Sequence, residues 1–242
     1  MAKKSAKDAI ILIGGYNLST YATAYETTAS VNPIDVTGFT DATKNFIPGQ
    51  LDATILADMF WSSTANTVHT ALHDFTARHC TILPEGYTLG NLSLSLPYEQ
   101  ANYGAKGTPD SAIQIGTINF KSRGDNEGVE HGYVLGHASV TAATTTGVGF
   151  QVNAAPVTAR CSATLHVWTA PASETTSFKV QHCTTLGGVY ADLITFTVDG
   201  SAITSERVAV ASGTINQFIR VLVVKSAAVQ TLGFSIHYWQ SV

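Results

Sequence analysis

Apolar and polar residues alternate one by one through most of the second half of the chain. In residues 160–168, four apolar residues alternate with three polar ones. A period of two places successive side chains on opposite faces, which predicts a half-buried β-strand. The same pattern recurs at intervals of roughly 12 to 16 residues, slightly above the spacing typical of β-sandwiches, in residues 178–183, 193–198, 207–211, 218–224 and 232–239. Residues 158–242 are therefore predicted to form an antiparallel β-sandwich.

The first half has a weaker version of this pattern and one helical segment. Strands are predicted at residues 10–13, 34–36, 51–60, 88–96, 113–120 and 132–140. Between them, Val68, Leu72 and Phe75 have helical spacing after Asn66, a residue type that caps helix N-termini. These features predict a short helix at residues 66–77 in a mainly β protein.

Three segments have no periodicity. Residues 32–50 and 98–110 contain glycine and proline and are predicted to be long loops, which inside a compact domain are usually functional. Residues 142–149 are small and uncharged, which is typical of a linker. We therefore predict two domains, residues 1–150 and 158–242.

Composition excludes several classes of protein. Hydrophobic residues make up 45% of the 242 residues and charged residues only 12%, about half of the roughly 25% usual in soluble domains. The polar positions are filled instead by 32 threonines and 19 serines. A net charge of −4 gives no global case for binding nucleic acid or an anionic membrane. No apolar run approaches the roughly 18 residues of a membrane helix, and residues 9–13 are too short for a signal-peptide core.

Few residues suggest chemistry. The i, i+4 pair His69 and His73, followed by His79 and Cys80, has zinc-like spacing, but it lacks the glutamate of H-E-x-x-H and is better interpreted as solvent-facing. Three cysteines without a C-x-x-C motif predict buried, reduced thiols. The acidic residues form two groups, one of Asp52 and Asp58 and the other of Asp125, Glu127 and Glu130. Neither group matches the template of a catalytic carboxylate pair or of a calcium-binding loop. With neither a nucleophile elbow nor a phosphate loop, we predict no enzyme and no cofactor.

Four features follow one another in the first half, namely IDVTGFTD at residues 34–41, KNFIPG at 44–49, the strand beginning LDATI at 51–55, and Trp61 beyond it. They resemble the opening of the major tail tube proteins of long-tailed, non-contractile bacteriophages, and the resemblance covers about residues 9–150. The helix at 66–77 and GVEHG at 128–132 follow in the order that the family would lead one to expect. GTINQFIRV at 213–221 and GFSI at 233–236 resemble the ending of related tail proteins, but the tube-domain signature is not repeated after residue 158.

The resemblance implies an antiparallel β-sandwich or barrel subunit that forms stacked rings of six or three copies. DNA would pass through the lumen without sequence recognition, and other tail proteins would be partners in a virion assembled in the host cytoplasm. If the chain polymerises, its long loops can bury apolar side chains against neighbouring copies; the candidate contacts are Phe39, Phe46, Ile47, Tyr98 and Tyr103. Alternatives are a capsid-decoration or carbohydrate-binding adhesion module, for which the C-terminal sandwich would need exposed coplanar aromatics, and a hydrolase with a carboxylate pair.

Overall fold

The computed structural model describes residues 6–40, 42–47, 51–109, 111–122, 128–170, 175–227 and 230–241. One 3-10 turn (Ala6–Asp8) precedes the strands. In the first half the elements are β1 (Ile10–Ile13), β2 (Tyr16–Asn17), β3 (Ala22–Val31), β4 (Ile34–Asp35), β5 (Phe46–Ile47), β6 (Leu51–Phe60), α1 (Val68–Leu72), β7 (Arg78–Leu83), β8 (Leu92–Gln100), β9 (Ala105–Lys106), β10 (Gln114–Ser122) and β11 (Glu130–Val140). The second half contains β12 (Thr144–Thr146), β13 (Phe150–Gln151), β14 (Val157–Thr169), β15 (Thr176–Cys183), β16 (Ala191–Thr195), β17 (Thr204–Ile215), β18 (Phe218–Lys225) and β19 (Leu232–Gln240). The prediction of a mainly β chain with one short helix is confirmed.

One large sheet runs through the molecule. Its main path is β17-β14-β19-β11-β8-β10-β6-β3, and β7 and β1 branch from β8. Every strand pair in the described residues is antiparallel. A second sheet has the order β12-β18-β15-β16, with β13 also paired to β18, and β4 pairs with β5 in a small hairpin.

Two large apolar cores and one small one, formed by Ile10, Leu12, Leu83 and Val134, pack against the large sheet. The two large cores lie on the same face of the sheet, because Tyr133 is opposite both Leu92 and Tyr238. The other faces of β7 and β14 meet each other, with Thr81 beside His166. The first core is enclosed by β1, β6, β7, β8, β10 and α1. The second lies between β14 and β19 of the large sheet and β15, β16 and β18 of the smaller one. The strands predicted for residues 158–242 therefore do pack as a sandwich, because their apolar faces meet across this second core.

Between the cores lies a layer of buried polar side chains, which we call the polar seam. Residues 160–168 alternate as predicted, but the polar face of β14 is not solvated: Ser162, Thr164 and His166 are all at most 2% exposed. They pack toward β7, where the Thr81 hydroxyl lies 2.8 Å from Nε2 of His166. The expectation of a half-buried strand was therefore wrong about exposure, because hydrogen-bonded polar groups can be buried at little cost.

The segment predicted to be a linker is partly a strand. Thr144–Thr146 forms β12. This strand pairs with β18, and Thr144 lies opposite Val224. Three consecutive β-branched threonines favour this extended conformation although they give no alternating apolar pattern. The large sheet also continues across the proposed domain boundary, because β19 pairs with β11.

The division into residues 1–150 and 158–242 stays a prediction, and the second core makes it testable. Leu135 is the only fully buried member of that core among the described residues that lies before residue 161. We therefore expect a fragment of residues 158–242 to fold, giving dispersed amide resonances in a nitrogen–proton correlation spectrum. A fragment of residues 142–242, which adds β12 and β13, is the matched comparison; collapsed spectra from both would count against an independent C-terminal domain.

The helix is shorter than the sequence predicts. It covers only Val68–Leu72, and Thr67 rather than Asn66 is its N-cap. Asn66 (φ 62°) and Phe75 (φ 54°) adopt left-handed backbone conformations, which end a right-handed helix on either side. Phe75 is consequently 50% exposed instead of lying on a buried helical face.

The two predicted loops also contain paired strands. Residues 32–50 include the β4–β5 hairpin, which follows directly from the paired ends of β3 and β6. Residues 98–100 are the last three residues of β8, and β9 lies later in the same predicted loop and pairs with β10. Strands of two residues are too short to produce a periodic sequence pattern.

Candidate assembly interface

An exposed hairpin projects from the far ends of β3 and β6, and we call residues 32–40 and 42–47 the arm. β3 and β6 pair from Ala22 opposite Met59 to Val31 opposite Leu51, and the hairpin resumes with Ile34 opposite Ile47. Neighbouring β10 covers β6 only from Thr54 to Phe60. The arm therefore extends beyond the body of the subunit.

Local hydrogen bonds organise the arm in place of a core. The Thr37 amide donates to Oδ1 of Asp35 at 2.9 Å, and the Val36 amide donates to the carbonyl of Asn45 at 2.9 Å. The Thr37 hydroxyl, and then its amide, lower the pKa of the Asp35 carboxyl. Asx turns of this kind shape a loop without apolar packing.

The arm presents large apolar side chains to solvent. Phe39 is fully exposed, whereas Phe46 is 55% and Ile47 48% exposed. Scattered exposed apolar residues are normal on protein surfaces, but a contiguous group is typical of an interaction site. Ile34 and Val36 are also exposed and share one face of the hairpin with Ile47, whereas Phe46, opposite Asp35, lies on the other face.

The two tyrosines singled out with these residues have different environments. Tyr98 is 1% exposed and belongs to the first core, where its ring packs against Phe120 with centroids 4.4 Å apart. The expectation that Tyr98 lies in a contact loop was therefore wrong, because it is an inward-facing residue of β8. Tyr103 is half-buried, and its hydroxyl lies 2.8 Å from Nδ1 of His69.

Both ends of the large sheet are long strands with an open edge. Within the described residues β3 pairs only with β6, and β17 only with β14. Soluble proteins usually protect such edges with lysine, proline or bulges that face the open side. Here β3 has a single charged residue, Glu26, and residues 208–214 of β17 have none. Each strand has one bulge, at residues 22–24 of β3 and at residues 210–213 of β17. The regular stretches outside these bulges are suited to pairing with another chain.

The outer face of β3, β6 and β10 is polar and acidic. Residues directly opposite in an antiparallel pair share a face, which joins Ser30 to Asp52 and Lys121 to Glu99. Besides serine and threonine hydroxyls and the apolar Leu56 and Phe60, this face and the ends of β8 and β9 that continue it have four acidic side chains and two lysines, namely Glu26, Asp52, Asp58, Glu99, Lys106 and Lys121. Asp52 and Asp58 lie six residues apart on β6, about 20 Å. That is too far for the two carboxyls to flank one glycosidic bond.

The histidine cluster does not form a common ligand set. Nδ1 of His73 lies 2.9 Å from the carbonyl oxygen of His69, and the two rings stack with centroids 4.9 Å apart. Cys80 is fully buried in the first core, and burial raises the pKa of its thiol. Among the described residues, no three histidine, cysteine or acidic side chains are placed to hold a metal ion. All three cysteines are free and buried, as predicted.

The C-terminal sandwich has no aromatic platform in its described part. Tyr238 is buried, and Tyr190 is covered by the guanidinium of Arg220, 3.8 Å from the ring centroid. The large side chains that are exposed in residues 150–241 are aliphatic, namely Val157, Leu186, Val189 and Val224. No helix in the described ranges is long and apolar enough to cross a membrane.

The polar seam contains two fully buried histidines. Nε2 of His166 shares a hydrogen bond with the Thr81 hydroxyl, and Nε2 of His237 lies 2.8 Å from the Ser235 hydroxyl. Desolvation, and then the charges of His237 and His79, hold the pKa of His166 well below its usual value. Desolvation and then His137 lower the pKa of His237 to about 3. Both imidazoles are therefore neutral in the folded protein at pH 7.

The seam also contains one ion pair. Glu130, 3% exposed, accepts hydrogen bonds from Ser162 at 2.9 Å and from Nε of Arg207 at 3.0 Å. These contacts link β11, β14 and β17, so the two halves of the molecule are joined by a satisfied buried network.

Comparisons with known proteins were made for the sequence and for the fold. No family model and no curated protein matches the chain. Among solved structures, it is similar to a chain in the virion of a native gene transfer agent particle (12% identity, 50% of this chain and 95% of that one, TM-score 0.42). A chain in the tail of an empty particle of this kind, with C6 symmetry, has 12% identity over 51% and 96% of the two chains and a TM-score of 0.40. The SPP1 phage Dit protein has 10% identity over 97% and 99%, with a TM-score of 0.36. TM-scores of this size do not establish a common fold.

The sequence located the exposed arm but missed the two open edges. β3 was not predicted as a strand, because nearly all its residues are exposed and it lacks an apolar face. Its threonines, tyrosine and valine favour strands by propensity alone, and that is the signal that could have found it.

Proposed function

We propose that this chain is a virion structural protein that assembles into stacked rings, and that the stack is the tail tube of a phage. Six or three copies close each ring, other tail proteins bind its ends, and DNA passes through the lumen. Assembly takes place in the host cytoplasm. The sequence resemblance of residues 9–150 to major tail tube proteins supports this proposal.

The observation that carries the proposal is the pair of open edges at the two ends of one sheet. When β17 of one copy pairs with β3 of the next, the contact is head-to-tail, and repeated head-to-tail contacts generate a ring if the rotation closes. Ring closure also removes both edges, which otherwise favour uncontrolled aggregation. The low charge of the chain agrees with this, because charged residues are depleted at interface cores.

The acidic outer face of β3, β6 and β10 suits the wall of a lumen. Proteins that bind nucleic acid neutralise its phosphates with lysine and arginine. A face with Glu26, Asp52 and Asp58 repels phosphates instead. We therefore orient this face toward the lumen, where DNA has to move without being held.

Electron microscopy of concentrated protein tests the proposal. We expect stacked rings from the wild-type chain and only monomers from Ala209→Glu/Ala211→Glu. Both alanines are exposed on β17, and the new carboxylates would place charge on the pairing edge near the acidic face of the next copy. The control Leu186→Glu/Val189→Glu adds the same charge on an exposed turn and should still form rings. Wild-type protein that stays monomeric at every concentration would refute the proposal.

A further inference from the structure

The large sheet curls until β7 and the β1–β2 turn meet β14 and the start of β17. Within the described residues no strand pairing crosses this contact, which we call the join. At its tightest point, a Cβ atom on Gly15 would come within 2.5 Å of the carbonyl oxygen of Thr204. Trp168 of β14 also packs across the join on the small apolar core. Side-chain contacts, and not a backbone ladder, therefore keep the join closed.

Histidine ring nitrogens take part in three hydrogen bonds across the join. The Gly15 amide donates to Nδ1 of His166 at 3.4 Å, and Nε2 of the same ring lies 2.8 Å from the Thr81 hydroxyl. Nδ1 of His79 lies 3.3 Å from the Ser205 hydroxyl. His166 thus contacts both β7 and the β1–β2 turn from its place on β14.

These contacts fix the tautomer of His166. An amide N–H can only donate, so Nδ1 of His166 has to be the unprotonated acceptor for Gly15. The neutral ring therefore carries its proton on Nε2 and donates it to Thr81. A second proton would bind to Nδ1 and point at the Gly15 N–H, which would leave two donors facing each other. The charged ring consequently fits only a join that has opened.

The charges around the ring do not favour a second proton. The ionisable side chains near the join are Arg78 and His79 of β7, Glu130 and His137 of β11, Arg207 of β17 and His237 of β19. Desolvation, and then the charges of His237 and His79, hold the pKa of His166 well below its usual value. The acidic member, Glu130, is already paired with Arg207. A closed join thus excludes a proton that a solvated imidazole accepts near pH 6.5.

We propose that the join is an acid-sensitive latch, which neutral His166 holds closed and protonated His166 opens while the two large cores stay packed. Opening leaves the strand pairings of the sheet intact, because none of them crosses the join. A hollow of about 230 Å³ at the mouth of the join, with His79 and Ser205 in its wall, gives water access from outside. The latch goes beyond the proposed function and does not depend on it.

Thiol labelling of Thr164→Cys tests the latch. Thr164 is 2% exposed and lies on the same face of β14 as His166, so its thiol is protected while the join is closed. Monomeric protein is labelled at pH 7, 6 and 5, and each rate is divided by that of the urea-unfolded variant at the same pH. We expect the ratio to rise at least about 25-fold from pH 7 to pH 5, because the open ring titrates near pH 6.5. Cys80 and Cys161 of the large cores, followed by mass spectrometry, should react at least about tenfold more slowly at every pH, because only larger opening exposes them.

Three further variants identify the group that acts. His166→Gln keeps an acceptor for Gly15 and a donor for Thr81 but binds no proton, so it should lower the rise about 25-fold. The control His73→Gln, at an exposed position, should leave the rise unchanged. Gly15→Ala, whose methyl group does not fit against Thr204, should expose the thiol already at pH 7.

Four results would overturn the latch. They are a ratio that stays constant from pH 7 to pH 5, equal rates for Thr164→Cys and Cys161, an undiminished rise in His166→Gln, and a thiol that remains protected in Gly15→Ala. If His166→Gln does not fold, the comparison of Thr164→Cys with Cys161 in the otherwise unchanged chain still decides. Faster, acid-dependent labelling of Thr164→Cys then supports the latch, and equal labelling refutes it.

Discussion

Replacing Phe46 and Ile47 with serine should leave a folded monomer that forms no tubes. Both side chains are about half exposed and lie on β5, outside the two apolar cores. Fully burying a large apolar side chain is worth about 1.5–3 kcal/mol, and since about half of each side chain is already buried, each arm loses about 1.5–3 kcal/mol in total. This raises the concentration needed for assembly by a factor of about 10 to 100, because each 1.4 kcal/mol is tenfold.

The measurement is tube length in negative stain beside the thermal midpoint of the monomer. Leu186→Ser/Val189→Ser is the matched control, since it removes two exposed apolar side chains outside the arm. It should form tubes of normal length. Normal tubes from Phe46→Ser/Ile47→Ser would refute the interface role, and a collapsed midpoint would assign both residues to the subunit's own stability.

Acidification from pH 7 to pH 5 should destabilise the subunit by about 4 kcal/mol through His166 and His237, and His137, whose pKa burial lowers to about 4, adds up to about 2 kcal/mol. His166 and His237 are neutral in the folded state because burial lowers their pKa values, whereas in the unfolded chain histidine titrates near 6.5. The stability that these two groups contribute is present above pH 6.5 and is lost as the pH falls toward the folded pKa. Linkage gives about 2 kcal/mol for each histidine at pH 5, a large share of a typical 5–15 kcal/mol.

Urea unfolding at pH 7, 6 and 5 measures this effect, in the Phe46→Ser/Ile47→Ser background so that assembly does not contribute. His237→Gln should reduce the loss between pH 7 and pH 5 by about a third. His73→Gln, an exposed position on the helix end, should leave the loss unchanged. An unfolding free energy that is constant from pH 7 to pH 5 would show that the seam histidines bind protons in the folded state.

The sequence predicts strands well where one face is apolar. β1 and β6 have the predicted bounds, and β14, β15, β18 and β19 overlap the predicted segments, because the side chains of one face enter a core. β3 escaped prediction because its exposed edge position needs no apolar face. The helix was overextended because periodicity does not report the positive φ angles of Asn66 and Phe75.

Candidate site residues were predictable only in part, for a related reason. Phe39, Phe46 and Ile47 are apolar residues in a segment without periodicity, and such residues have no core to join. Tyr98 also belongs to a segment without periodicity, but its side chain is on the inward face of β8. Sequence position alone did not separate these cases, because the register of β8 depends on its partners β7 and β10.

The position of β19 gives its translation a particular weight. Residues 232–240 form a central strand, inserted between β14 and β11. Until they emerge from the ribosome, no strand pairing joins β14 to β11, and the sheet that carries β3 at one end and β17 at the other is in two pieces. Under the ring assembly proposed above, a nascent chain therefore cannot offer both pairing edges in their final geometry before it has been translated through residue 240.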